Sequence, residues 1–170
     1  TGLDELTSLS EALRSRAERA MRTAIEAVPD GSWHASVDAD GFDDEETHIE
    51  CELTIKGSDL HLNFAGTSPQ IARGINSVLK YTYSYATYPI KCALDPDSPR
   101  NEGSFTPVTV SAPEGSILNP TSPAPTAARH LTGHFLPGVI YRCLAQVVPE
   151  KVSADSGSSP TLRTVYGGVD

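Results

Sequence analysis

Two histidines stand four positions apart in the second half of the chain, at His130 and His134. On a helix these positions lie on one face, so the two imidazoles would supply half of a metal site. The HExxH zinc pattern needs a glutamate after the first histidine, and Leu131 stands there instead, which excludes that mechanism. The alternative is a pair of polar caps beside a loop. Arg129 is a candidate contact for an anion or carboxylate, because a planar guanidinium binds planar oxygens in pairs.

Three further histidines, His34, His48 and His61, fall on the polar phase of alternating segments. They could converge on a metal, but no spacing requires it, and solvated or hydrogen-bonded histidines are the preferred interpretation. The acidic run at residues 38–46 lacks calcium-loop spacing and is interpreted as a solvated loop or hairpin turn. The patterns GxxxxGK[ST], GxGxxG and GxSxG do not occur in the sequence. Spacing alone therefore identifies no nucleophile and no catalytic residue.

Residues 95–134 contain seven of the thirteen prolines. Proline fixes φ and removes a backbone donor, so this stretch cannot be one continuous helix. It also differs from a low-complexity linker, because single polar side chains stand between turn residues and short apolar pieces. Those side chains are Asn101, Asn119, Arg129, His130 and His134. We expect an ordered, loop-rich segment laid over a scaffold, and such loops often carry function.

The scaffold is predicted from hydrophobic periodicity. Apolar residues at helical spacing predict a helix over residues 3–28, which ends at a Pro-Asp-Gly turn. Alternation predicts a short strand at residues 33–37. Residues 47–56 and 60–64 alternate in the same way around Gly57-Ser58, which predicts a half-buried antiparallel hairpin.

Helical spacing returns in the second half of the chain. A helix is predicted over residues 74–94, with Asn76 or Ser77 as its cap. Residues 125–148 predict two more helices, divided by the glycines and proline of residues 133–138. A further strand is expected at residues 162–166.

These elements predict an α+β fold with a long N-terminal helix, antiparallel strands, a proline-rich ordered loop and C-terminal helices. Residues 1–170 are expected to be a single domain or an internal segment of a longer protein, because the chain starts without Met. The formal net charge of −9 disfavours a nucleic-acid interface and an anionic membrane surface. Cys51, Cys92 and Cys143 show no metal spacing, so buried free thiols in a reducing, cytoplasmic compartment are expected.

Several separated stretches resemble the hydantoinase B/oxoprolinase family in order and spacing. They are AIEAVPDG at 24–31, IKGSDLHLNFAGTSPQ at 55–70, GIN at 74–76, NEGSFTP at 101–107, APEGSILNP at 112–120 and PAPTAARHLTGH at 123–134. One departure is Asn63, where the family tends to have Asp. The missing carboxylate puts an acid–base role of that strand in doubt.

The resemblance also selects candidate residues at matched positions. Asn76, Asn101, Arg129 and His130 are the candidate substrate-binding residues, although the asparagines could equally staple loops to backbone. Gly66, Thr67, Gln70 and Gly103 are expected to form the loops.

The resemblance implies an enzyme that hydrolyses a cyclic amide of the hydantoin or 5-oxoproline type. It also implies a hetero-oligomer with a hydantoinase A-like subunit or domain that handles ATP, and a divalent metal bound outside this segment. One alternative is a segment of an acetone- or acetophenone-type carboxylase, whose substrate is a ketone. The other is a noncatalytic scaffold and subunit-interface module.

Overall fold

A sheet with helices on its apolar face forms the body of the protein. The computed structural model describes residues 2–42 and 45–154, with the backbone alone at residues 3, 4, 41, 42 and 45. The strands are β1 (Gly31–Phe42), β2 (Glu45–Lys56), β3 (Asp59–Asn63) and β4 (Val108–Ser111). The α-helices are α1 (Gly2–Glu26), α2 (Leu79–Leu94), α3 (His130–Gly133) and α4 (Phe135–Leu144). Short 3-10 turns lie at Glu102–Phe105 and Pro149–Lys151.

The strands lie in the order β1-β2-β3-β4. The first three are antiparallel neighbours, and β4 pairs in parallel with β3, with Leu62 opposite Val110. The β2–β3 hairpin confirms the prediction from alternation: Leu53 is buried opposite Leu62, while Glu52 stands on the polar side opposite Asn63. The α+β fold class is confirmed.

The core lies between the apolar face of the sheet and the helices. The last turns of α1, the inner face of α2 and most of α4 contribute to it. Each large apolar side chain that is fully buried contributes about 1.5–3 kcal/mol. The largest are Phe64, Met21, Ile25, Ile49, Leu53, Ile55, Leu60, Leu62, Ile90, Ile117, Leu118 and Leu136. No helix in the described ranges is long and apolar enough to cross a membrane.

Strand β1 is longer than predicted. It continues through Asp38, Ala39 and Asp40, so much of the acidic run is strand and not loop. Because β1 is an edge strand, acidic residues can stand at every second position and face solvent, as Asp38 and Asp40 do. The Asp38 carboxylate also lies 2.6 Å from the Nδ1 of His48 on β2.

Helix α2 begins five residues later than predicted, at Leu79. The prediction of Asn76 or Ser77 as its cap was wrong: Val78 is the N-cap, and no side chain caps the helix. In the C-terminal part, two helices are present, but they divide at His134. Pro137 therefore lies in the first turn of α4, where the missing N–H costs no intrahelical bond.

The proline-rich segment contains β4, which periodicity did not predict. The prediction of three buried thiols was wrong for one of them: Cys51 and Cys143 are buried, but Cys92 is exposed on the outer side of α2. The neighbouring Cys143 thiol and burial raise the pKa of the Cys51 thiol. The strand expected at residues 162–166 lies outside the described residues.

Candidate functional site

The turn formed by Gly66, Thr67 and Ser68 hydrogen-bonds to the part of β2 that extends beyond the end of β3. The Ser68 N–H donates to the carbonyl of His48 at 2.9 Å, and the Ser68 hydroxyl accepts from the His48 N–H at 2.8 Å. The Thr67 hydroxyl accepts from the Glu50 N–H at 3.2 Å. Gly66 has a φ of 95°, and a Cβ there would lie 2.2 Å from a Glu50 carboxylate oxygen. This motif therefore continues the hydrogen bonding of the sheet.

Gln70 connects the same turn to the proline-rich segment. Its side-chain oxygen accepts from the N–H of Thr121 at 2.6 Å and from the Thr121 hydroxyl at 3.2 Å. Its own N–H donates to the carbonyl of Gly115 at 2.8 Å. The N–H of Ile117 donates to the carbonyl of Ser68 at 2.9 Å, which gives a second bridge between the two loops.

Asn76 is fully buried, and both the oxygen and the amino group of its carboxamide form hydrogen bonds with protein groups. The oxygen accepts from the N–H of Ile71 at 3.0 Å. The amino group donates to the carbonyls of Ile71 at 2.8 Å, Arg73 at 2.9 Å and Pro125 at 2.8 Å. Asn76 therefore holds the loop before α2 against the loop before α3.

We expect Asn76→Asp to lower the free energy of unfolding by about 3 kcal/mol, because an oxygen would then face three carbonyl oxygens. Urea unfolding followed by circular dichroism measures this. Asn119→Asp is the matched control, since among the described residues the Asn119 side chain donates only to the carbonyl of Ala112, at 3.0 Å, and this variant should lose about 1 kcal/mol. Equal losses in the two variants would contradict the bridging role.

Asn101 and Gly103 attach a short turn to α1. Asn101 caps the 3-10 turn by accepting from the Gly103 N–H at 2.8 Å, and its amino group donates to the carbonyl of Leu13 at 3.2 Å. Ser104 returns the contact as the other half of a capping box. A Cβ on Gly103 would lie 1.9 Å from the carbonyl oxygen of Arg14, so the two backbones touch directly.

Arg129 lies over an aromatic pair on α2. Its guanidinium carbon is 5.0 Å from the ring centre of Tyr81, which stacks on Tyr85 at 4.6 Å. Burial and a hydrogen bond with Tyr85 raise the pKa of Tyr81 to about 12, against the opposing charge of Arg129. Gly133 permits this packing, because a Cβ there would lie 2.6 Å from the Tyr81 ring.

His130 and His134 occupy the one-turn helix α3 and its end. The His134 N–H donates to the carbonyl of His130 at 3.0 Å, so the two residues do have the expected helical spacing. His130 is exposed to solvent. Within residues 2–42 and 45–154, no group of three or more His, Cys, Asp or Glu side chains could hold a metal ion. His130 and His134 therefore gain no third ligand of these types among the described residues.

The outer face of the sheet carries a network of polar side chains. Asn63 donates to the Glu52 carboxylate at 3.4 Å, and the Ser111 hydroxyl donates to the Asn63 oxygen at 3.4 Å. Ser111 also contacts Nε2 of His61 at 3.0 Å, while His34 lies 3.4 Å from Glu52. The amide of Asn63 suits this place, because a carboxylate there would face Glu52. The three strand histidines have separate partners, since His48 pairs with Asp38.

A groove runs along the outer side of α2. Three adjoining cavities of about 410, 330 and 460 Å³ share lining residues there. Ser84 lines all three, and Tyr83 and Arg100 line two each. Arg100 lies over the ring of Phe105 at 5.4 Å. The groove offers a cation, hydroxyl groups and aromatic rings, and Asn101 lines one end of it.

The structure does not bring all the candidate residues together. Gly66, Thr67, Gln70 and Asn76 follow one another along the loops that join β2, β3 and the proline-rich segment. Arg129 contacts Tyr81, whereas Asn101 lines the groove beside Tyr83, and these tyrosines lie ~200° apart around α2. Arg129 and Asn101 therefore lie beside different tyrosines of the helix.

Sequence reasoning missed a buried ion pair at the end of α2. The Lys91 ammonium lies 2.7 Å from the Asp95 carboxylate and 2.9 Å from both the carbonyl and the hydroxyl of Ser98. It also donates to the Asp95 carbonyl. Burial alone would raise the pKa of Asp95, but hydrogen bonds from Lys91 and Ser98 and the charge of Lys91 lower it. The i,i+4 spacing of Lys91 and Asp95 was the available signal.

This chain therefore forms an α+β scaffold in which the motif residues hold loops together. The chain belongs to the hydantoinase B/oxoprolinase family, which matches residues 1–170. It is 36% identical over 170 residues to a protein of Pseudomonas sp. (strain NS671) that is provisionally assigned as the B-type component of a D-/L-hydantoinase. That match covers 92% of this chain and 29% of the relative, so the chain spans less than a third of its length.

Two solved structures share the fold. The ATP-dependent caprolactamase from Pseudomonas jessenii superposes with a TM-score of 0.80 at 26% identity, over 89% of this chain and 27% of that one. The nucleotide-free structure of an acetone carboxylase superposes with a TM-score of 0.68 at 19% identity, over 79% of this chain and 20% of that one. The second likeness concerns the fold alone.

Proposed function

We propose that this chain is part of the B-type component of an ATP-linked cyclic-amide hydrolase, acting on a ring of the hydantoin or 5-oxoproline type with a hydantoinase A-type partner. The observation that carries the proposal is the likeness to the ATP-dependent caprolactamase, at a TM-score of 0.80 and 26% identity. Family membership over residues 1–170 and the likeness to a B-type hydantoinase component support it as well. A cytoplasmic location belongs to the same proposal.

Ring-amide hydrolysis needs an activated carbonyl and donors for the oxyanion that forms on it. ATP would supply the activation by phosphorylation. The family resemblance assigns ATP handling to the A-type partner, and the lack of a P-loop pattern in residues 1–170 is consistent with that assignment. The divalent metal is likewise assigned to polypeptide outside residues 1–170.

Within that enzyme, this segment positions loops. Asn76 and Asn101 have their amide groups engaged by protein partners. Arg129 and His130 differ, because both are exposed to solvent. We therefore keep Arg129 and His130 as the candidates for contact with a substrate carboxylate or carbonyl.

The test is turnover by the full-length B-type component together with its A-type partner. Three substrates are tested: hydantoin, 5-oxoproline, and an aryl ketone together with bicarbonate. Each is assayed in the presence and in the absence of ATP and Mg²⁺, and the B-type component alone is the control. We expect ring opening that requires both components and ATP. Incorporation of bicarbonate into the ketone would replace the proposal with the carboxylase function. A folded complex without any turnover would leave the scaffold and interface role.

A further inference from the structure

The first half of α1 carries an apolar stripe that nothing in the described structure covers. Leu6, Leu9 and Leu13 are 64%, 56% and 51% exposed. Their spacing of three and four residues places them on one side of the helix. Every side chain described from Glu5 to Arg16 is exposed, and the buried side of α1 begins only at Ala17.

A helix segment of this kind is poorly stabilised by itself. Isolated helices shorter than about 12–15 residues are marginal in water, and most helix stability in proteins comes from packing of the apolar face. The tertiary contacts of this half lie at its end, where Asn101 and Gly103 meet the backbone of Leu13 and Arg14. The leucine stripe points elsewhere and is available to a partner helix.

The charges beside the stripe indicate what that partner is. Glu5 and Arg16 stand on the same flank, eleven residues apart and thus only ~20° apart around the helix. Neither forms an ion pair with any other residue in the part of the chain that the structure describes. Opposite charges therefore mark the two ends of one apolar stripe.

This arrangement is complementary to itself when one copy is reversed. In an antiparallel pair centred between Leu9 and Ser10, Leu6 of one copy lies level with Leu13 of the other. Glu5 then lies within about 3 Å, measured along the axis, of the level of Arg16 in the partner copy, and the symmetry repeats this pair. In a parallel pair the two copies of this flank would lie on opposite sides of the contact, so Glu5 and Arg16 would not meet.

We propose that the stripe Leu6–Leu9–Leu13 is a self-association surface, on which two copies of this chain pair antiparallel through the first half of α1, with two symmetric Glu5–Arg16 ion pairs. The contact is small, so we expect weak pairing, with a dissociation constant on the order of 10 μM. It is independent of the proposed catalytic function.

The test is sedimentation equilibrium of the full-length B-type component between about 1 and 200 μM, which spans the expected dissociation constant. We expect the average mass to rise from one chain to two across this range. Leu9→Glu should weaken pairing on the order of a hundredfold, because the two-fold axis brings two carboxylates into the apolar contact. A single-chain mass throughout, or pairing unaffected by Leu9→Glu, would overturn the proposal.

The charge pair tests the antiparallel arrangement separately. Glu5→Arg and Arg16→Glu should each weaken pairing about tenfold, because each sets like charges together twice. The double variant should restore the original dissociation constant. Glu11→Arg is the matched control, because Glu11 lies ~160° from Leu9 around the helix and should leave pairing unchanged. A double variant that stays as weak as the single ones would overturn the antiparallel pairing. Unfolding curves of all variants, measured at about 1 μM where the chains are unpaired, must coincide, since these exposed side chains lie outside the core.

Discussion

Replacing Gly103 by alanine is expected to lower the free energy of unfolding by about 3 kcal/mol and to detach α1 from the turn that follows Asn101. The added Cβ would lie 1.9 Å from the carbonyl oxygen of Arg14, 2.7 Å from its carbonyl carbon and 2.9 Å from its Cα. These are backbone atoms, so no side-chain rotation relieves the clash. The helix and the turn must separate, and the hydrogen bond from Asn101 to the Leu13 carbonyl would then break.

Gly74→Ala is the matched control for this prediction. A Cβ on Gly74 would meet its nearest neighbours, in Ala127 and Ala128, at 3.7–3.8 Å, which is ordinary van der Waals contact. We expect its stability to stay within about 0.5 kcal/mol of the unchanged chain. Urea unfolding measures both variants, and hydrogen exchange of the amides around Leu13 and Ala17 locates the loss. A Gly103→Ala chain as stable as Gly74→Ala would contradict the close approach of α1 to the turn.

Local patterns in the sequence were sufficient for the elements whose apolar residues recur at a regular spacing. The β2–β3 hairpin follows from strict alternation, because one residue of slip would expose the entire apolar face. Helix α1 follows from its apolar spacing in the same way. In each case the signal lies within the residues that form the element.

Nonlocal contacts decided the elements that were missed or misplaced. Strand β4 has four residues between prolines, and its parallel pairing with β3 depends on a long connection through α2. The start of α2 moved because the Asn76 amide is held by Pro125, 49 positions away, which keeps residues 74–78 out of the helix. Periodicity within a short window contains no information about such contacts.

The candidate site shows the same division. The resemblance selected candidate positions, but it did not identify their contacts, which come from distant parts of the chain, as with Gln70 and Thr121. Arg129 was proposed as an anion contact, and the structure adds that its guanidinium lies over Tyr81. The presence of an amide at Asn63 is explained only by a contact across the sheet, because this amide donates to the carboxylate of Glu52.

Replacing Lys91 by methionine is expected to lower the free energy of unfolding by about 3–5 kcal/mol at pH 7, because it leaves the Asp95 carboxylate buried without its cation. The side chains of Lys91 and Asp95 are only 8% and 10% exposed. Methionine keeps most of the aliphatic length, so the loss reports the charge and its hydrogen bonds. Lys56→Met, at the exposed end of β2, is the matched control and should change stability by less than about 0.5 kcal/mol.

The pH dependence of the two chains should have opposite signs. In the unchanged chain Lys91 and Ser98 lower the pKa of Asp95, so the stability from this carboxylate is present above its unfolded pKa, about 3.9, and is lost as the pH falls through the lower folded value. In Lys91→Met, burial acts without the cation and raises the pKa, so lowering the pH toward about 4.5 should protonate Asp95 and recover stability. Urea unfolding at pH 7 and pH 4.5 therefore should show a smaller difference between the chains at the lower pH. A difference that stays constant would mean that methionine disrupts packing, and would contradict the loss of the Lys91 charge as the cause of the destabilisation.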